Sequence, residues 1–207
     1  MFFRYLWQNP RFFAAAVFLV VFSVCCHEFM HALVALKFGD DTAARRGHLT
    51  LNPFKQMGWL SLVMLLFIGI AWGQVPVNPL NFRSRAGRVL TSLAGPLTNL
   101  GLWAIFAVLS YICFKVNGEE HFACNMLVYG AIMNFALFVF NLLPIPGLDG
   151  FNVLTEFFPR LTRRNSELAK GAFLVLMALL FAFADRLFDA AKIVTALLLL
   201  ALEKVVQ

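Results

Sequence analysis

The chain has 207 residues, of which 61 % are hydrophobic and 14 % charged, with a formal net charge of +6. Ordinary soluble domains carry roughly 25 % charged residues, and a globule this apolar could not cover its surface with polar groups. A soluble globular protein is excluded, as are disorder, collagen and coiled coil; an integral membrane protein with several spans is what remains.

A spanning helix needs about 20 apolar residues. Phe12–Phe38 supplies them, with Ser23, His27, Glu28, His31 and Lys37 as its few polar members. This run is too long for a signal-peptide core and has no clear small-residue cleavage site, so it is expected to be a span. In the polar stretch Gly39–Gln56, Leu49 and Leu51 alternate with His48, Thr50 and Asn52 ahead of Pro53. That pattern predicts a small membrane-associated strand or re-entrant region near residues 45–56. Met57–Trp72 is apolar but short and contains Gly58 and Gly69, so it is predicted to be re-entrant or only partly inserted. Gly73–Arg85 is a loop punctuated by Pro76, Asn78, Pro79 and Asn81. Ala86–Val116 is a long apolar run carrying Gly95, Pro96 and Asn99, and Met126–Phe158 is another, broken by Pro144, Pro146 and Gly147. Gly171–Ala184 and Leu187–Val206 close the chain as an expected helical hairpin, about 168–206.

No repeat or low-complexity linker divides the chain. The expectation is one domain, 1–207, with its core at about 12–158: an all-α polytopic membrane protein of five to six transmembrane helices. The basic residues lie between apolar runs, where they anchor to headgroups and set orientation; no nucleic-acid partner is expected. Cys25, Cys26, Cys113 and Cys124 show no CxxC spacing, so no disulfide framework is implied.

The chemistry concentrates in His27-Glu28-Phe29-Met30-His31, an HExxH within an apolar helix. Positions i and i+4 share one helix face, so both imidazoles can reach one ion. Glu28 projects beside them, placed to take a proton from water without ligating. This is the arrangement of a zinc hydrolase. Ionisable groups at bilayer depth are expensive, which raises the odds that these three serve a metal, a proton path or a ligand. Catalytic zinc takes three protein ligands. The third candidate is Asp149, in the run Asn141-Leu-Leu-Pro-Ile-Pro-Gly-Leu-Asp149-Gly150, whose prolines and glycines must break a helix. Broken backbone at membrane depth is tolerated where it lines a cavity. The bland alternative is that Asp149 merely caps the helix that follows.

HEFMH together with NLLPIPGLDG resembles the site-2 protease family of intramembrane zinc metalloproteases, and is similar to its small members without PDZ or CBS modules. Gly47-His-Leu-Thr-Leu-Asn-Pro, Pro76-Val-Asn-Pro-Leu-Asn-Phe-Arg and Leu93-Ala-Gly-Pro-Leu-Thr-Asn99 extend the similarity over about Phe22–Gly150. The resemblance implies His27, His31 and Asp149 as ligands of one Zn2+ per chain and Glu28 as general base. It implies Asn141 as a catalytic donor to an oxyanion, with Asn99 a weaker candidate beside the site. Many relatives have proline where Gly147 stands, and a histidine and an aspartate where this chain has Gln56 and Met57.

The expected reaction is hydrolysis of peptide bonds within or near transmembrane segments of a protein or peptide substrate embedded in the lipid bilayer. A substrate helix hides its carbonyls in i→i−4 bonds and must unwind; residues Gly47–Asn52 are the expected receiver for the extended peptide. If Met57–Trp72 does not cross, twelve of the 17 basic residues, from Lys37 to Lys204, fall on one side, against ten if every run spans. The positive-inside rule prefers the twelve. It puts the N-terminus outside and the active site nearer the cytoplasm of a prokaryotic inner membrane. A metal or proton transporter and a catalytically silent client-binding homologue are the alternatives. A relay would need ionisable groups staggered through the membrane, whereas these cluster at one level. Oligomeric state is not legible, and His48 and His121 are expected to be solvated.

Overall fold

The computed structural model describes residues 4–118, 120–159 and 166–206. Among these the protein is all-helical. Short α1 (Tyr5–Gln8) leads into α2 (Pro10–Lys37), then come α3 (Thr42–Arg45), α4 (Pro53–Gln56) and α5 (Gly58–Ile68). A 3-10 turn at Pro79–Asn81 precedes α6 (Arg85–Asn117), α7 (Phe122–Asn141), α8 (Asp149–Phe157) and α9 (Ser166–Val206). Among the described residues, α2, α6 and α7 are long and apolar enough to cross a membrane. Arg160, Arg163 and Arg164, which the charge count used, lie outside the described residues.

The helices begin where their sequences say they should. Asn9 accepts the Phe12 N–H with Pro10 in the first turn of α2, and Ser84 accepts the Gly87 N–H at the start of α6. α6 is the central post, packed on α2, α7, α8 and α9. Where α2, α6 and α7 meet, Leu19, Phe106 and Met133 interlock across Ala107 and Ala131, both fully buried. Small residues let helices approach closely where lipid offers no hydrophobic drive to associate. Val24 and Cys25 of α2 pack separately on Met57 and Leu65, seating α5.

Three expectations need correction. Residues 45–56 contain no strand, and no strand occurs among the described residues. His48 to Thr50 turns and bends, because the buried Gln56 amide donates to the carbonyls of His48 (2.8 Å) and Thr50 (2.5 Å) and curls the segment around itself. The C-terminal hairpin is instead one 41-residue helix, α9, since Ala184-Asp185-Arg186 holds neither glycine nor proline to break it. Cys113 and Cys124 form a disulfide across the α6–α7 turn. Spacing rules miss this pair; the helices, folding back at Gly118, bring the two Cα atoms to 5.4 Å.

The short apolar run makes an excursion and returns. α5 has 11 residues, a rise of about 16 Å, roughly half the hydrocarbon core. Gly69 ends it in the left-handed region (φ +86°), with its N–H on the carbonyls of Met64 and Leu65. The chain then runs back as residues 70–78, free of helix, turn or bend. Val75 and Asn78 each precede a proline, which confines them to extended backbone. Trp72 meets Ser61 midway, and the Gln74 N–H reaches the Gln56 carbonyl at 3.0 Å. Gln56 lies just before α5, so both ends of the excursion are at one level.

The segment's far end is pinned by Asp40, which is fully buried. Its carboxylate accepts from the Asn78 N–H (2.7 Å), the Asn81 amide (3.0 Å), and the N–H and hydroxyl of Thr42. Burial pushes the carboxyl pKa up, but these donors outweigh it and hold it below the usual aspartate value.

Candidate metal centre

His27 and His31 lie one turn apart on the buried face of α2 and point at Asp149, 118 residues beyond His31. The Nε2 atoms are 3.0 Å apart, and the Asp149 carboxylate oxygen Oδ2 is 3.1 Å from His27 Nε2 and 3.2 Å from His31 Nε2. A tetrahedral zinc with bonds of about 2.0–2.2 Å has ligand atoms about 3.3–3.6 Å apart, a little wider than these three. These three atoms outline one face of such a tetrahedron, and the His2Asp donor set suits the ion.

Each imidazole is fixed from behind. His27 Nδ1 is 2.6 Å from Asn99 Oδ1, and His31 Nδ1 is 2.6 Å from the Thr91 carbonyl. Both partners are acceptors, so both Nδ1 atoms carry the hydrogen and both Nε2 lone pairs are left for a metal. The chain of support continues inward. The Asn99 amide donates to Asn134 Oδ1 (3.0 Å), and the Asn134 amide donates to Ser23 Oγ (2.9 Å) and the Gly130 carbonyl (2.8 Å). Asn99, Asn134 and Ser23 are all fully buried.

Two glycines make room. A Cβ at Gly95 would fall on the Nε2 atoms of both histidines, and one at Gly73 would fall on the Glu28 carboxylate. Pro96, next in α6, has no N–H for the Ser92 carbonyl and loosens that turn. Thr91, one residue earlier, offers its carbonyl to His31 instead of spending it wholly within the helix.

Asp149 arrives by the predicted break. Residues 142–148 leave α7 without regular structure, and Gly147 sits at φ +95°, a conformation that the proline of the family pattern could not adopt. Gly150 then abuts the Leu142 carbonyl, where any Cβ would collide. Asp149 opens α8 one residue after the N-cap position Leu148, and its carboxylate goes to the two histidines instead of capping the helix. α8 is tied to α6 by Arg88 and Glu156, 2.8 Å apart, and by Arg85 stacked 4.6 Å from the Phe157 ring centre.

Glu28 shares with His27, His31 and Asp149 a cavity of about 630 Å³, to which Gly73, Val75 and Asn141 also contribute. Asn141 faces it while its amide donates to the Leu137 carbonyl at 3.0 Å. Asn99, the weaker candidate on sequence, is the asparagine that bonds to His27. Thr91, Asn134, Gly73 and Gly95 were not singled out: a backbone acceptor has no sequence signature, and a glycine's role shows only against what it faces. His48 lies outside this cavity, and His121 stands beside the Cys113–Cys124 disulfide.

Comparison with known proteins agrees with this geometry. Residues 118–183 match peptidase family M50. Three relatives carry the name putative zinc metalloprotease. YwhC of Bacillus subtilis is 34 % identical over 186 residues, 86 % of this chain and 84 % of that protein. Rip2 of Mycobacterium tuberculosis is 37 % identical over 179 residues, 81 % and 68 % of the two chains. MJ0611 of Methanocaldococcus jannaschii is 33 % identical over 131 residues, 62 % of each. No solved structure matches the chain.

Proposed function

The chain belongs to peptidase family M50, the site-2 protease family of membrane zinc metalloproteases, and on that premise we propose that it cleaves peptide bonds within or near the transmembrane segments of other membrane proteins. The convergence of His27, His31 and Asp149 beside Glu28, on a helix apolar enough to span, carries this reading.

His27, His31 and Asp149 would hold the zinc ion, and when bound it would supply Lewis-acid chemistry to the scissile carbonyl and to water. Glu28 takes the proton from the attacking water and passes it to the leaving amine. Asn141, facing the cavity, is the side-chain donor for the oxyanion of the tetrahedral intermediate. The walls of α2, α6 and α7 keep lipid away from a reaction that needs water.

A substrate must be extended to be cut, and the receiver is not Gly47–Asn52, whose carbonyls are taken up by Gln56. The returning segment fits the role. The N–H groups of Trp72, Gln74 and Asn78 bond into the protein, and Pro76 has none. Backbone groups alternate sides in extended chain, so those of Gly73, Val75 and Val77 face the opposite way, and none of the three N–H groups has a partner among the described residues. Gly73 lies against Glu28, and Gly73 and Val75 both line the cavity. An unwound substrate pairs along this edge.

The orientation with the active site nearer the cytoplasm is supported twice. The end of α6 far from the histidines carries the disulfide, which belongs in an oxidising compartment. The return of the α5 excursion to its starting level supports the uneven division of basic residues.

The test is Glu28→Gln. Zinc content should be unchanged, cleavage of a reconstituted single-span substrate should fall about 10²- to 10⁴-fold, and full-length single-span proteins should accumulate in membranes holding the variant. A zinc-loaded Glu28→Gln protein that cuts at the normal rate would break the mechanism.

A further inference from the structure

Behind the returning segment, away from Glu28, lies a second cavity of about 340 Å³. We propose that it binds a membrane lipid through a phosphate headgroup bearing a hydroxyl or ammonium group.

Its lining includes Arg46, His48, Lys55, Gln56 and Gln74, with no acidic side chain. Neither Arg46 nor Lys55 forms an ion pair among the described residues, whereas the neighbouring Arg45 is held by Asp41 at 2.6 Å. The decisive group is Gln56, which is only 1 % exposed. Both hydrogens of its amide are used, on the carbonyls of His48 and Thr50. That fixes the side chain's orientation and leaves Oε1 buried without a donor. His48 Nδ1 is likewise buried and unpartnered. A buried acceptor left unpaired is costly unless something supplies the hydrogen.

The two demands together describe a ligand: an anion for Arg46 and Lys55, and an adjacent hydroxyl or ammonium for Gln56 Oε1. A phosphatidylglycerol or phosphatidylethanolamine headgroup carries both; a monoprotonated inorganic phosphate shares the chemistry in smaller form. The surroundings favour the lipid. Trp59 is 70 % and Phe54 57 % exposed, their rings stacked 5.5 Å apart beside Lys55 and Gly58. Exposed aromatics next to basic residues mark the headgroup level of a bilayer.

The cavity also reaches the active site. Gln74 and Pro76 line both cavities, and the Gln74 N–H hangs on the Gln56 carbonyl. A headgroup seated on Gln56 braces the segment whose Gly73 lies against Glu28. This coupling rests on the peptidase reading; the binding site does not.

The experiment uses the full zinc-loaded chain in nanodiscs of phosphatidylcholine containing phosphatidylglycerol, with lipid retained after transfer to detergent counted by native mass spectrometry. A direct hydrogen bond between charged groups contributes about 1.5 kcal/mol, so Arg46→Gln with Lys55→Gln should weaken phosphatidylglycerol retention about a hundredfold. Lys37→Gln with Arg45→Gln removes the same charge outside the cavity and should leave retention within about twofold, and zinc content should be equal throughout. Equal loss in both double variants would reduce the effect to general charge attraction and overturn the site. Displacement of the lipid by millimolar inorganic phosphate would assign the cavity to a soluble anion and overturn the lipid. Specific retention by a protein that holds zinc yet cleaves nothing would support the lipid site and fault the peptidase reading alone.

Discussion

The two ends of α6 are held by opposite means. Between Thr91 and Asn99 the helix touches the metal centre through a backbone carbonyl, a glycine surface and an asparagine continued by Asn134 and Ser23. At Ser110–Asn117 it is held by a disulfide and an exposed Lys115–Glu203 pair. The first end depends on side chains placed to a few tenths of an ångström, and no covalent bond assists it. The second needs only to stay joined. Function should therefore be brittle at one end and tolerant at the other.

The sharpest contrast lies between two glycines six residues apart. Gly95→Ala puts a methyl group on the atoms that bind the metal, so zinc content should fall below detection in the purified variant. Gly101 faces open space in the same helix; Gly101→Ala should keep zinc and gain about 0.5–1 kcal/mol of stability. Zinc retained in Gly95→Ala would show that α6 can slide away and that the contact is not a constraint.

The next effect leaves the metal alone. Val75→Pro with Val77→Pro removes two free N–H groups from the substrate edge without touching the bonds of Trp72, Gln74 or Asn78. Cleavage should drop about a hundredfold, two hydrogen bonds of about 1.4 kcal/mol each, with zinc content normal. Unchanged cleavage would exclude pairing along this edge. At the tolerant end, Cys113→Ser with Cys124→Ser should lower stability by about 3 kcal/mol, read as a drop in Tm in detergent. Zinc content and cleavage at low temperature should not change. Loss of zinc there would mean that strain travels the length of α6 and would erase the contrast.

The meeting of His27, His31 and Asp149 was legible because its signals are local: HExxH puts two imidazoles on one face by helical period, and the proline–glycine break flags the carboxylate. That α5 is too short to span was legible from the length of its run. What escaped depends on distant chain. Leu49 and Leu51 alternate like a strand, but the Gln56 amide reaches back to the carbonyls around them. Cys113 and Cys124 look unrelated until the turn at Gly118 folds α7 onto α6. Asn99 and Asn141 are equivalent as letters; only the angle between α2 and α6 decides which one meets His27.

The mildest prediction concerns Asp40, which fixes the extended segment 70–78 at Asn78. One carboxylate oxygen takes Thr42 and Asn81 while the other takes the Asn78 N–H. An asparagine offers one acceptor, so Asp40→Asn must set its NH2 against a donor in either orientation and should cost about 1–3 kcal/mol. The loss should be local, seen as faster amide hydrogen exchange at Trp72, Gln74 and Asn78, whose N–H groups are the bonded ones of the segment. In the native protein the same protection should depend on pH. The folded pKa lies below the ordinary aspartate value of about 4, so the stabilisation is complete above that value and fades as pH falls through the lowered one. Exchange in Asp40→Asn should lack this acid step, and an acid step that survives the substitution would place the pin on another group.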